Sequence, residues 1–290
     1  MKKIFKSLII VVLPIILFLG ILSIYKFNRV RSLSWALPPK VHTLFMGASH
    51  IMDGINDHYY PGSLNFANSS ERYMFTYNKL EHLSRGGYLN QIDTVFLEFA
   101  PTDTWENTDG KYFDESETNF YIPAYFPLLS KEERKIYKGH EILYLKKIIG
   151  HLHKQDIKQI YSSNDGLGGF HYETAVFDPN KMEPKMKDTG DGDYWNLHYL
   201  DKIIKLCKER NIKLFFIYMP MNNPEIYYDQ SHYYEVYKKN YKHIPLLDFS
   251  HLPVPNHFRK DNNHLNGQGA TWFTKYFYSI KKQEGYQSWN

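Results

Sequence analysis

Only one cysteine, Cys207, occurs among the 290 residues. No internal disulfide can form, and no cysteine stands near the start of the chain to carry a lipid. None of the 31 acidic residues lies in the first 31 positions, whereas six of the 35 Lys and Arg do: Lys2, Lys3, Lys6, Lys26, Arg29 and Arg31. That leaves 29 basic against 31 acidic residues beyond position 31, a formal −2, so the whole-chain +4 belongs to the flanks of the N-terminal segment. Without a concentrated basic surface, nucleic acid is not the expected partner. Asp188, Asp191 and Asp193 lack the spacing and terminal Glu of a calcium loop and read as a solvated turn. His151 and His153 are two apart in a helical run, where they face different directions, so neither a metal nor any other cofactor is expected. There is no internal repeat and no long low-complexity run.

The N-terminal segment is apolar almost without interruption from Leu8 to Tyr25, broken only by Pro14, Gly20 and Ser23. That is about the minimum needed to cross a hydrocarbon core of ~30 Å as a helix. Lysines precede it as in a signal sequence, but no small-x-small cleavage site follows. Residues 1–31 therefore read as one uncleaved transmembrane helix, with a cleaved signal peptide as the alternative. Residues 32–290 then form one extracytoplasmic domain large enough for its own core. Aromatic residues make up 17% of the chain, with 25 Tyr. Because Lys, Asn, Ile, Tyr and Phe are all abundant together, they read as compositional drift in preference to platforms for sugar rings.

Within the domain, apolar runs at Val41–Met46, Ser63–Ala67, Asp93–Phe99, Lys213–Met219 and Ile244–Phe249 read as strands. Met74, Tyr77, Leu80 and Leu83 recur at helical spacing and stop at Gly86-Gly87. Leu200, Ile203, Ile204 and Cys207 mark a second helix, and Ala270, Phe273, Phe277 and Ile280 a last one. Strands alternating with helices argue for an α/β fold with a parallel sheet covered on both sides. The alternation lapses over about 104–194, where one helix is expected from Lys131 to about Gly150. This stretch reads as an insertion over the crevice, equally a lid, a substrate-reading surface or a structural elaboration.

Chemistry concentrates at the two ends of the domain. Gly47-Ala48-Ser49-His50 follows the first strand, and Asp261-Asn262-Asn263-His264-Leu265 precedes the last helix. A serine on a glycine turn after a strand is placed to be an exposed nucleophile. A histidine with an aspartate three residues before it supplies a base and the group that orients it. Gly-x-Ser-x-Gly is missing at Ser49, which argues against an α/β-hydrolase elbow. His50 reads as a structural or substrate-contacting residue. In a parallel sheet, functional groups gather at the carboxyl ends of the strands, where Ser49, Ser70 and Thr102 also fall.

These motifs resemble the SGNH (GDSL-like) hydrolase family over roughly residues 41–105 and 195–281. Gly47-Ala48-Ser49 stands at the family's Gly-Asp-Ser turn. Asn65-Phe66-Ala67-Asn68-Ser69-Ser70 stands at the second block, with Ser70 in the place of its glycine. Glu98-Phe99-Ala100-Pro101-Thr102-Asp103 stands at the third, with Thr102 in the place of the oxyanion-hole asparagine. Asp261 and His264 keep the last block, Asp-x-x-His-Leu. The resemblance implies a flavodoxin-like three-layer α/β/α fold and a catalytic Ser49, His264 and Asp261. It implies oxyanion or substrate-binding roles for Ser70, Thr102, Asn68 and Asp103.

An N-terminal anchor followed by a divergent domain of this kind is also similar to proteins of envelope polysaccharide O-acetylation and teichoic acid D-alanylation. The resemblance then implies a serine esterase or O-acyltransferase at the outer face of a cell membrane, acting on acylated glycan, with a membrane-bound O-acyltransferase as a candidate partner. Thr102 favours a second reading, a non-catalytic scaffold or polymer-binding partner of such a transferase. The intact Ser, His and Asp favour the enzyme.

Overall fold

In a computed structural model of the chain, the residues described are 2–31, 36–104, 125, 128–136, 169–180, 195–227 and 230–284. Most of the expected insertion, with His151, His153, Asp188, Asp191 and Asp193, lies outside them, as does the expected helix beyond Ile136.

Helix α1 covers Lys2–Arg31 with Pro14 inside it. Its side chains are described from Ile9 to Tyr25, and Ile10, Val11, Phe18, Ile21 and Ile24 are all exposed. The Ser23 hydroxyl donates back to Leu19 O, which satisfies it within the helix. Among the described residues, no helix is long and apolar enough to cross a membrane.

The domain is built on five parallel strands: β1 (Thr43–Met46), β2 (Ser63–Asn65), β3 (Thr94–Glu98), β4 (Lys213–Tyr218) and β5 (Leu246–Asp248). Their order, β2-β1-β3-β4-β5, is the doubly wound, flavodoxin-like one. Alternate side chains of the central strands feed two cores. Leu44, Met46, Val95, Leu97, Phe216 and Tyr218 pack on one face, against helices α3 (Tyr73–Arg85) and α6 (Trp195–Glu209). Phe45, Phe96, Phe215 and Ile217 pack on the other, against α2 (Ser49–Gly54) and α9 (Gly267–Glu284). Burial on both faces explains why β1, β3 and β4 are apolar throughout. Four shorter helices complete the described set: α4 (Pro101–Thr104), α5 (Lys131–Ile136), α7 (Pro224–Tyr227) and α8 (Gln230–Val236).

The outer strands are shorter than the sequence suggests. β2 stops at Asn65 because that side chain turns inward to cap α2, donating to Ile51 O and Ile55 O at 2.8 Å. α2 itself carries too few residues to show a helical period.

Candidate active site

β1 is followed by Gly47, whose φ of +142° suits glycine. A Cβ there would meet Glu98 Cβ at 2.4 Å, so glycine also admits β3 close beneath the turn. The turn delivers Ser49 to the first position of α2. From the other end of the chain, Asp261 folds its own loop: Oδ1 accepts from the N–H groups of Asn263 and His264, each at 2.8 Å. That Asx arrangement aims the His264 ring back at the carboxylate, with Nδ1 2.9 Å from both Asp261 oxygens. His264 Nε2 then lies 2.7 Å from Ser49 Oγ. Burial works against the charge on Asp261, but the His264 ring and the two backbone donors outweigh it and hold the carboxyl down at about 2. The aspartate stays ionised, so Nδ1 carries the proton and Nε2 is left to accept one.

Ser70 adopts φ +50°, the left-handed conformation that a glycine would take without cost, and its side chain is exposed. Its loop is pinned to the nucleophile turn by the Asn68 N–H, which donates to Gly47 O at 3.1 Å. Neither the Ser49 nor the Ser70 amide has an acceptor among the described residues. Thr102 is half-buried in α4, on the loop that leaves β3. Asn68 and Asp103 are engaged locally. The Asn68 amide donates to Tyr125 Oη at 3.2 Å, while its Oδ1 accepts from Ser69 N–H. Asp103 is buried, and its Oδ2 accepts from Ala100 N–H at 2.9 Å.

A buried pair under the site was not visible in the sequence. Glu98, the last residue of β3, accepts from Ala48 N–H with Oε2 and meets His50 Nδ1 with Oε1, both at 2.6 Å. The His50 ring lies against the His264 ring, 4.7 Å between centroids. Burial alone would discharge both partners, but each holds the other ionised: the His50 pKa is raised and that of Glu98 lowered. The signal that could have found them is the position of both residues at the carboxyl ends of adjacent strands.

Asp103 shows the opposite behaviour. Burial, together with the negative charge of Glu98, pushes its carboxyl up to about 7. A carboxyl whose folded pKa exceeds its unfolded value binds more protons when folded, so its contribution falls as pH rises from about 4 through 7. Asp103→Asn is therefore expected to raise the melting temperature relative to the unsubstituted protein at pH 8 and to lose that advantage at pH 5. Equal differences at the two pH values would refute it.

Residues 169–180 bond to both α2 and the segment that carries His264. His171 N–H donates to Met52 O in α2, Phe177 N–H to Arg259 O, and Gly267 N–H to Glu173 O. Lys260 meets Asp53 at 3.3 Å and Glu173 at 3.1 Å, and His171 meets Asp53 at 3.0 Å. This piece of the expected insertion ties the serine helix to the histidine loop.

No family model matches this chain. No curated protein matches it either. Among solved structures, a provisionally assigned acylhydrolase from Bacteroides fragilis aligns over 88% of this chain and 94% of its own, with a TM-score of 0.40 and 12% identity. A likeness at that level carries nothing about activity. Among the described residues there is no cluster of His, Cys, Asp and Glu that could hold a metal.

Proposed function

We propose that this protein is a membrane-anchored serine esterase or O-acyltransferase of the SGNH type, acting on acylated carbohydrate outside the cell membrane. The observation that carries the reading is the continuous chain from Ser49 Oγ through His264 to an ionised Asp261. His264 Nε2 takes the hydroxyl proton as Ser49 Oγ bonds to the acyl carbon. The tetrahedral oxyanion is met by the Ser49 and Ser70 N–H groups, with Thr102 nearby. Collapse breaks the bond to the leaving alcohol, which takes its proton from His264 and leaves an acyl-serine. A second hydroxyl, of water or of a sugar, then gives its proton to His264 and attacks, releasing Ser49. Water makes the protein an esterase; a sugar makes it a transferase.

A fluorophosphonate probe, which needs an activated serine, is expected to label the protein at Ser49 and to leave Ser49→Ala unlabelled. Labelling that persists in Ser49→Ala would remove this reading and favour the scaffold. The anchor rests on the apolar residues exposed along α1. Carbonate washing is expected to leave the full chain in the membrane fraction, whereas a soluble form beginning near residue 26 would identify a cleaved signal.

A further inference from the structure

Tyr125 lies between α4 and α5, in the expected insertion, and is buried with its ring centroid 4.5 Å from that of Phe75 in α3. Its hydroxyl reaches the loop after β2 at two points. Tyr125 Oη donates to Glu71 Oε2 at 2.6 Å and accepts from Asn68 Nδ2 at 3.2 Å. Those two residues bracket Ser69 and Ser70, and Glu71 N–H donates to Asn68 O at 3.2 Å, which closes a four-residue turn. One hydroxyl thus grips both ends of the turn that carries the Ser70 amide. The grip is itself anchored. Glu71 Oε2 also accepts from Lys79 Nζ and Oε1 from Thr76 Oγ1, both at 2.6 Å, which ties one end to α3. Asn68 N–H donates to Gly47 O, which ties the other end to the nucleophile turn.

Such a turn needs holding. Ser70 is its third residue and has φ +50°, where glycine is favoured because a Cβ is disfavoured. Left to itself, a serine there relaxes toward right-handed or extended backbone, which re-aims the peptide between Ser69 and Ser70. A donor lowers the barrier to acyl transfer only if it is fixed before the charge develops. We propose that Tyr125 is a positioning residue for the oxyanion hole: its hydroxyl holds the turn over 68–71 in the conformation that presents the Ser70 N–H to the acyl oxygen. This rests on the acyl-transfer reading of the same site and gives the insertion a part in it.

The test is steady-state kinetics of full-length variants on an activated aryl acetate. Tyr125→Phe keeps the ring on Phe75 and leaves Glu71 with Lys79 and Thr76, so the domain should still fold. Its kcat is expected to fall about tenfold, the scale on which a side chain disfavours the left-handed backbone. KM should stay within about twofold, because the donor acts on the transition state. Glycine takes the left-handed conformation freely, so in a Ser70→Gly background the Tyr125→Phe loss should shrink to about twofold. A tyrosine that only stabilised the domain would gain no such relief. Should Tyr125→Phe fail to fold, Asn68→Ala cuts the other arm and should show the same loss and the same relief. An unchanged kcat, a change confined to KM, or a loss undiminished by Ser70→Gly overturns the proposal. Hydrogen exchange over residues 68–71 needs no turnover and should quicken in Tyr125→Phe. Unchanged exchange overturns the clamp whether or not Ser49 takes up the fluorophosphonate. Quickened exchange with Ser49 unlabelled would overturn the acyl-transfer reading instead.

Discussion

Ser49→Ala is expected to lower kcat/KM for an activated aryl acetate by about 10⁴-fold or more, and His264→Ala by a similar factor. The two losses should not add. Oγ and Nε2 stand 2.7 Å apart and act as one unit, so the double variant should be no slower than either single one. Asp261→Asn should cost somewhat less, because it removes the ionised group that fixes the His264 proton on Nδ1 while leaving the nucleophile in place. Thr102→Ala should stay within about tenfold, since the Ser49 and Ser70 amides remain as donors. Thr102→Asn, with its longer amide, should retain or raise simple ester hydrolysis. Steady-state kinetics on the purified variants measures all six. Unchanged turnover in Ser49→Ala would mean that another group is the nucleophile.

The second large effect is on stability. Glu98→Ala strips the acceptor from Ala48 N–H and leaves His50 buried without its counter-ion. Removing one partner of a buried ion pair costs about 3–5 kcal/mol, a fall in melting temperature on the order of 10 °C for a domain of this size. The sign with pH is fixed by the two shifts. The lowered Glu98 pKa gives stability that is lost as pH falls below the carboxylate range, and the raised His50 pKa gives stability that is lost as pH climbs past that of the imidazolium. The difference between Glu98→Ala and the unsubstituted protein should therefore be widest between about pH 4.5 and 6.5. A melting point within 2 °C of the unsubstituted protein across that window, taking about 2 °C as the scale of a sub-kilocalorie change, would show that the pair carries no stability.

What could be read from the residues was what is local. Ser49 sits on its own glycine turn, and only Asn262 and Asn263 separate Asp261 from His264, so spacing alone pointed to each piece. The central strands were legible because a sheet buried on both faces reads as unbroken apolar sequence. β2 and β5 were drawn too long because outer strands are only half-buried and their ends are set by neighbours, as Asn65 shows. The pairing of Glu98 with His50 escaped for a different reason. Each is an ordinary polar residue until the sheet order brings β1 and β3 together, and no period in the sequence encodes that meeting.

The bond between Ser49 and His264 spans 215 positions of chain. Closing so wide a loop carries only a logarithmic entropic cost, and in the folded chain it accompanies the pairing of β1, β3 and β4. That contact joins the turn after β1 to the loop before α9, so any change that lets these two regions drift apart is expected to part Oγ from Nε2.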